Sequence, residues 1–318
     1  MSIHRFAIID CGTNTFHLLI CEQEGQTIYP YFRDKVHVKI GEGGIGEGYI
    51  TDQAFDRAIR ALEYFKMAID KFEAEQVIAT ATSAIRNARN GQYLVNTIFE
   101  RTGIQVQIIS GNKEAELIYK GVALAHKIGP EPTLIVDIGG GSVEFIIADT
   151  YGPQWLRSYE IGAQRLLDQF HHQDPMSKRD SKELYAFLEK QLKDLIQVSK
   201  DLKVVTMVGS SGSFDTLYEM HARKKKIQIS SEETSFHLPL KGFRTQHEKL
   251  ITKDKEQRLN IPGMAEARVD MIVVASCLID FLLNELSIER LVVSTFALKE
   301  GIMSDLSKGV TTFAESTT

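Results

Sequence analysis

Apolar and polar positions along the chain repeat one motif twice. The run Phe6-Ala-Ile-Ile-Asp-Cys-Gly-Thr-Asn-Thr-Phe-His-Leu-Leu-Ile20 returns in outline as Thr133-Leu-Ile-Val-Asp-Ile-Gly-Gly-Gly-Ser-Val-Glu-Phe-Ile-Ile147, so that Asp10 matches Asp137 and Gly12 matches Gly139. Each copy is an apolar stretch ending in Asp, a turn of small residues and a second apolar stretch, which predicts a β-hairpin with a glycine-containing loop. Two such hairpins 127 residues apart predict two homologous domains.

After the first hairpin, Thr27 to Ile40 reads as strand. Thr51 to Phe72 then sets Phe55, Ile59, Leu62, Phe65, Ile69 and Phe72 on one helical stripe facing a core, with Thr51 as N-cap. A short strand at Gln76 to Ala79, helical stretches to Arg101, a strand at Val106 to Ile109 and a helix from about Asn112 to Lys127 follow. The second half predicts strands at Thr133 to Ile138, Val143 to Ala148 and Gln154 to Glu160, helices from Ala163 and from about Ser177 to Lys200, and a strand at Val204 to Val208. Met264 to Leu286 reads as one long buried helix, too polar at Glu266, Arg268 and Asp270 to span a bilayer. This order predicts an α/β layer structure.

With 318 residues, 43% hydrophobic and 25% charged, the chain has room for two domains of about 150 residues, each with its own core. Cys11, Cys21 and Cys277 include no Cys-x-x-Cys pair and are odd in number, which points to a reducing compartment rather than a secreted disulfide framework. No signal-like apolar run precedes Asp10 and no stretch approaches the roughly 20 apolar residues of a membrane span. A cytoplasmic protein with no membrane partner is expected. A net charge of −5 argues against nucleic acid as a partner, but not against an anionic substrate held by backbone amides, a metal ion and a few arginines.

The paired hairpins are the candidate site. A strand-end Asp beside a glycine turn can cap that turn or position a cation. Two of them facing each other across a cleft suit Mg²⁺ and a polyanion. Gly139, Gly140, Gly141 and Ser142 let the backbone approach a phosphate closely, and Gly12, Thr13, Asn14 and Thr15 add hydroxyl and amide donors. Neither loop matches the Walker A or Gly-x-Gly-x-x-Gly pattern. Glu144 stands where the first copy has His17, and this break in symmetry assigns it to the metal shell with Asp10 and Asp137, directly or through water, with a share in orienting the nucleophile left open and a hydrogen bond to the loop backbone as the competing reading. The nine histidines show no metal spacing, and Ser83, Ser142 and Ser211 lack an identifiable His and Asp for nucleophilic catalysis.

The two loops, with Ile109-Ser-Gly-Asn-Lys-Glu-Ala-Glu-Leu-Ile-Tyr119 between them, resemble the exopolyphosphatase and guanosine pentaphosphate phosphohydrolase family. Lys39-Ile-Gly-Glu-Gly43, Ala79-Thr-Ala-Thr-Ser-Ala-Ile-Arg86, Ile161-Gly-Ala-Gln-Arg165, Val208-Gly-Ser-Ser-Gly-Ser213, Pro262-Gly263 with Arg268 and Asp270, and Val293 to Gly301 extend the likeness over nearly the whole chain. The resemblance implies an α/β fold of two homologous actin/ribonuclease H-like domains, with mixed sheets flanked by helices and an interdomain cleft as the active site. Residues 1–125, rejoined by a C-terminal helix at about 300–318, would form the first domain and residues 126–299 the second.

The same resemblance implies an Mg²⁺-assisted hydrolase that cuts terminal phosphate from inorganic polyphosphate, or alternatively the 5′-phosphate of guanosine pentaphosphate, and acts as a homodimer. It places the catalytic base on Glu114, a role suited to a carboxylate that orients and deprotonates water. The competing reading is a helix-start glutamate that only complements the dipole. Arg86, counted with Glu114 as catalytic, and Arg165 become expected clamps on phosphate oxygens. Glu116 stands where the family usually has arginine, Ala297 where it tends to have glycine, and Lys299 where it tends to have arginine. Arg223-Lys-Lys-Lys226 reads as a solvated loop or an extension of a polyanion track. The end at Thr318, without the extra helical region of longer relatives, is expected to disfavour tight handling of long polyphosphate. A phosphotransferase related to acetate and sugar kinases, with Gly209-Ser-Ser-Gly-Ser213 against a nucleoside, and a nucleotide-binding sensor are the more distant alternatives.

Overall fold

Residues 4–25, 27–230 and 232–308 are described by a computed structural model. The first half runs β1 (His4–Cys11), β2 (Phe16–Glu24), β3 (Thr27–Val36), α1 (Asp52–Lys71), β4 (Gln76–Ala81), α2 (Ser83–Arg86), α3 (Gly91–Thr102), β5 (Val106–Ile108) and α4 (Gly111–Ala125). The second runs β6 (Thr133–Ile138), β7 (Val143–Asp149), β8 (Gly152–Tyr159), α5 (Ala163–Phe170), α6 (Lys178–Gln191), α7 (Lys193–Asp201), β9 (Thr206–Ser210) and α8 (Gly212–Lys225). It closes with β10 (Ser235–His237), α9 (Leu240–Thr252), α10 (Lys255–Leu259), α11 (Met271–Glu285), β11 (Arg290–Ser294) and α12 (Leu298–Ser307).

Both hairpins form, and each nucleates a mixed sheet. The strand order is β3-β2-β1-β4-β5 in one sheet and β10-β11-β9-β6-β7-β8 in the other. In each, a three-strand antiparallel meander is extended by two parallel strands beside its first member, and β10 adds an antiparallel edge to the second sheet. This is an α/β arrangement of two mixed sheets flanked by helices, one sheet in each half.

Strand alternation explains the layers, because successive side chains point to opposite faces. Ala7, Ile9 and Cys11 of β1 face a core with α1 and α3, while Ile8 faces the other way. Leu134, Val136 and Ile138 of β6 likewise enter the core of the second half, and Ile135 turns away. The residues that turn away share one cluster with α4 and α12, which therefore lie between the two sheets. These helices cross with backbones nearly touching: a Cβ on Gly121 would stand 1.9 Å from the Ala297 carbonyl oxygen, and one on Gly301 1.8 Å from that of Leu117. Only glycine permits that approach.

The α1 stripe is core as expected, with Thr51 Oγ1 accepting from Ala54 N, although Phe55 and Phe72 are only half-buried. Four expectations need correction. The strand from Thr27 ends at Val36, because the chain must turn to bring Lys39 and Gly41 against the first hairpin loop. The helix expected over Ser177 to Lys200 is broken at Leu192 into α6 and α7. In place of one helix from Met264, a short 3₁₀ turn at Glu266–Arg268 precedes α11. Arg258, wholly buried, donates to the Val269 carbonyl at 3.0 Å and holds this bend. The run Arg223 to Lys226 is no loop: it forms the end of α8 and its cap, where cations complement the helix dipole. Of the C-terminal helix expected at about 300–318, the part to Ser307 lies in α12, and residues 309–318 lie outside the described residues. No helix among the described residues is long and apolar enough to cross a membrane.

Candidate active site

β1 and β6 deliver Asp10 and Asp137 to the ends of facing hairpins, where Asp10 pairs in register with His17 and Asp137 with Glu144. Each hairpin loop is held from behind by the segment that follows its meander. Lys39 N donates to Asn14 O at 2.9 Å and Gly41 N to Thr13 O at 3.3 Å. In the second half, Gly162 N, Ala163 N and Gln164 N donate to the carbonyls of Gly141, Gly139 and Gly140 at 2.9–3.1 Å. Loop carbonyls are thus tied to the scaffold, while both loops line a common chamber.

That chamber measures about 80 Å³ and is bounded by Asp10, Gly12, Thr13, Asn14, Thr15, Glu114, Asp137, Gly139, Gly140, Gly141 and Ser142, among others. The loops meet directly. A Cβ on Gly140 would fall 2.3 Å from Asn14 Nδ2, one on Gly141 2.5 Å from Ser83 Oγ, and one on Gly162 2.4 Å from the Gly140 carbonyl. Outside lies a cleft of about 930 Å³ that shares Asp10, Asn14, Thr15, His17, Ser211 and Arg268 with the chamber. Lys35, Lys39, Lys255 and Lys299 line this cleft beside Glu42, Asp215, Glu219 and Glu266.

Glu114 sits in the first turn of α4, capped by Ser110 Oγ accepting from Lys113 N. Its carboxylate is buried and accepts from Arg86 Nη1 at 2.8 Å. Burial raises its pKa to about 8 although Arg86 opposes the shift, and Asp10 and Asp137 add to the rise. Burial likewise brings Asp10 to about 7 against the pull of Lys299. Asp137 is raised by burial but stabilised as the anion by Ser210 Oγ at 2.6 Å. Glu144, wholly buried, accepts from Ser158 at 2.7 Å through Oε1, while Oε2 has no partner among the described residues, and burial together with Glu114 and Asp137 pushes it far up. Burial, with Lys299 and Arg268, holds His17 neutral, lowered to about 3. Three acids, Asp10, Glu114 and Asp137, line the chamber beside one cation, Arg268, with Glu144 behind the wall, and leave it short of positive charge.

Three expected site residues stand behind the chamber wall: Arg86, Glu144 and Arg165 do not line it. Both arginines spend their donors on protein. Arg86 holds Glu114, the Ile109 carbonyl and Glu160, whereas Arg165 holds the carbonyls of Gly141 and Ile45 and also Glu160. Among the described residues no group of three or more His, Cys, Asp or Glu stands close enough to hold a metal by itself. Glu116 does not line the cleft and pairs with Lys113 at 3.4 Å. Arg268, Lys299, Asp215 and Ser210 join the expected residues at or beside the site. Arg268 reaches the site by lying against Gly212, where a Cβ would fall 2.6 Å from its Nη2. The signal for Arg268 and Lys299 was their place inside matching segments.

Residues 19–309 match the sequence model of the Ppx/GppA phosphatase family. The chain belongs to that family. It is therefore a phosphatase-family enzyme, a phosphoanhydride hydrolase. The crystal structure of an exopolyphosphatase from Cytophaga hutchinsonii is 40% identical, covers 97% of this chain and 99% of its own, and superposes with a TM-score of 0.94. The Aquifex aeolicus member of the Ppx/GppA family is 26% identical over 98% of this chain and 100% of its own, with a TM-score of 0.79. A bifunctional 3-dehydroquinate synthase/phosphatase from Fusobacterium nucleatum is 27% identical over 96% of this chain, which spans 46% of that protein.

Proposed function

We propose that this family member is an exopolyphosphatase, releasing orthophosphate from the end of inorganic polyphosphate with Glu114 as base. The observation that carries this reading is the buried Glu114 carboxylate facing a chamber between two hairpin loops, with room for a few waters at roughly 30 Å³ each and hence for one phosphoryl group. Likeness to the Cytophaga hutchinsonii enzyme supports the choice of substrate. Amides and hydroxyls of Gly12 to Thr15 and Gly139 to Ser142 hold the terminal phosphoryl group. Glu114, oriented by Arg86, takes a proton from water. The water oxygen attacks the terminal phosphorus, the bond to the bridging oxygen breaks, and orthophosphate separates from the shortened chain.

The donor set fits Mg²⁺. Magnesium uses one or two carboxylates, keeps several waters and takes substrate phosphates as its other ligands, so no three-residue protein cluster is required. Asp10 and Asp137, which line the chamber, would hold the ion, and the buried, unpartnered Glu144 Oε2 behind the wall would add negative charge beside them. Bound there, the ion supplies the positive charge that the acids and a polyphosphate together need. A homodimer, readable by sedimentation, belongs to the same reading.

A second reading, removal of the 5′-phosphate of guanosine pentaphosphate, is favoured by the outer cleft, where Leu167 and Leu259 accompany Asp215 and Glu219 in a lining that suits a nucleoside. Orthophosphate release with Mg²⁺ from short and long polyphosphate, guanosine pentaphosphate and ATP, by the native chain and Glu114→Gln, decides. Preference for polyphosphate that vanishes in Glu114→Gln supports the first reading. Faster release from guanosine pentaphosphate replaces it with the second, and undiminished release by Glu114→Gln removes Glu114 as base.

A further inference from the structure

Glu160 lies just past β8, lines neither chamber nor cleft, and gathers side chains from both halves of the molecule. Its Oε2 accepts from Ser83 Oγ at 2.5 Å and from Arg165 Nη2 at 3.3 Å, and its Oε1 accepts from Arg86 Nη2 at 3.1 Å. Ser83 and Arg86 belong to α2 of the first half, whereas Glu160 and Arg165 belong to the second. Arg86 Nη1 points the other way, to Glu114 Oε2 at 2.8 Å. One guanidinium is therefore held between two carboxylates, and its planar fork fixes their relative geometry. Arg165 extends the clasp across the junction through the Gly141 carbonyl at 2.9 Å and the Ile45 carbonyl at 3.1 Å. Burial works against ionisation of Glu160, but hydrogen bonds from Ser83, Asn87 and Arg86 outweigh it and hold its carboxyl below the usual range.

Resting on the hydrolase reading above, we propose that Glu160 is a positioning residue: reaching across the two halves, it fixes Arg86 so that Arg86 holds Glu114 oriented as a carboxylate. The base is then fully assembled only when the halves are closed on each other. Without Glu160, Arg86 loses one of its two side-chain anchors and the Glu114 carboxylate loses a fixed counter-ion.

Two readouts test this on the full chain, with melting temperature recorded for every variant. The first is kcat, KM and the pH dependence of kcat/KM for polyphosphate with Mg²⁺. Glu160→Ala is expected to lower kcat by about 10–100-fold, as displaced catalytic groups do, with KM little changed and the acidic limb moved to higher pH. Glu160→Gln keeps an oxygen for Arg86 Nη2 and is expected to restore part of kcat. The second readout is an infrared titration of the ¹³C-labelled Glu114 carboxyl, identified as the band lost in Glu114→Gln. Its midpoint is expected to rise in Glu160→Ala. An unmoved midpoint, or a kcat loss that follows melting temperature with an unmoved acidic limb, overturns the proposal. Absence of phosphate release by the native chain strikes the hydrolase reading instead, and the infrared midpoint then decides the clasp by itself.

Discussion

Asp10 faces His17 across one hairpin and Asp137 faces Glu144 across the other, although both pairs hold the same place in the same strand order. The scaffolding is alike as well. Lys39 and Gly41 back the first loop, Gly162 to Gln164 back the second, and each backing segment follows the third strand of its meander. What differs is the side chains. The first loop carries Thr13, Asn14 and Thr15, whereas the second is bare glycine up to Ser142, because Gly140 and Gly141 nest against Thr13, Asn14 and Ser83. The first hairpin pairs its acid with a neutral histidine, and the second pairs its acid with another acid beside Glu114. The two halves thus supply matching backbone cradles. Divergence at a few side chains makes one flank of the chamber strongly acidic and leaves the other suited to hold.

The largest test of that asymmetry is Glu114→Gln, expected to lower kcat by about 10²–10⁴-fold, the range for losing a general base. In the native chain kcat/KM is expected to climb through pH 8, since the carboxylate is the active form and burial lifts its pKa to about 8. A limb near pH 4 would place the base elsewhere.

The loops themselves come next. Gly140→Ala forces a Cβ into Asn14 and Thr13, an overpacking expected to cost about 1–3 kcal/mol and to disturb the chamber. Gly12→Ala meets only the Thr15 carbonyl at 3.0 Å and is expected to cost less. Thermal melts of the two variants compare the loops directly, and equal losses would contradict the nested arrangement.

The acids leave a smaller mark on stability. Asp10 titrates near 7 in the folded chain, above its unfolded value, so its contribution is fully present below the unfolded pKa and is lost as pH rises through about 7. Asp10→Asn is expected to melt a few degrees above the native chain at pH 8, at roughly 2–4 °C per kcal/mol, with the gain gone near pH 4. His17 runs the opposite way: its lowered pKa gives stability present above the unfolded value and lost as pH falls towards about 3. Mg²⁺ that binds the acids is expected to raise the native melting temperature more than that of Asp10→Asn. Smallest of all, Glu116→Arg should change kcat/KM by less than about twofold at ordinary salt, because an exposed charge outside the cleft is screened. A tenfold change would mean that substrate extends beyond the cleft described here.

Local pattern made much of this molecule readable. Period-two alternation in β1, β2, β6 and β7 sorts residues between distinct cores, and the 3.6-residue stripe with its Thr51 cap marks α1. The strand-end Asp and the small-residue turns likewise mark where the hairpins end. Breaks inside helical patterns are harder to read, because the bend before α11 rests on the buried Arg258 side chain reaching the Val269 carbonyl, a contact that no apolar periodicity marks. The chamber's lining by Glu114 and the two loops followed motif positions, whereas the actual partners of Arg86 and Arg165 did not. An arginine in a motif looks the same whether it meets a phosphate or a carbonyl.

By itself, then, the sequence determined the doubled α/β plan, the two acid-tipped hairpins and the segments that carry the chemistry, because these depend on local periodicity and on residue types that force turns. Tertiary structure alone decided that α4 and α12 cross between the sheets on Gly121 and Gly301, that Arg268 and Lys299 enter the cleft, and that Glu160 joins the two halves through Arg86. Those outcomes rest on close approach between residues far apart in the chain, such as Gly121 and Gly301, which no local pattern records.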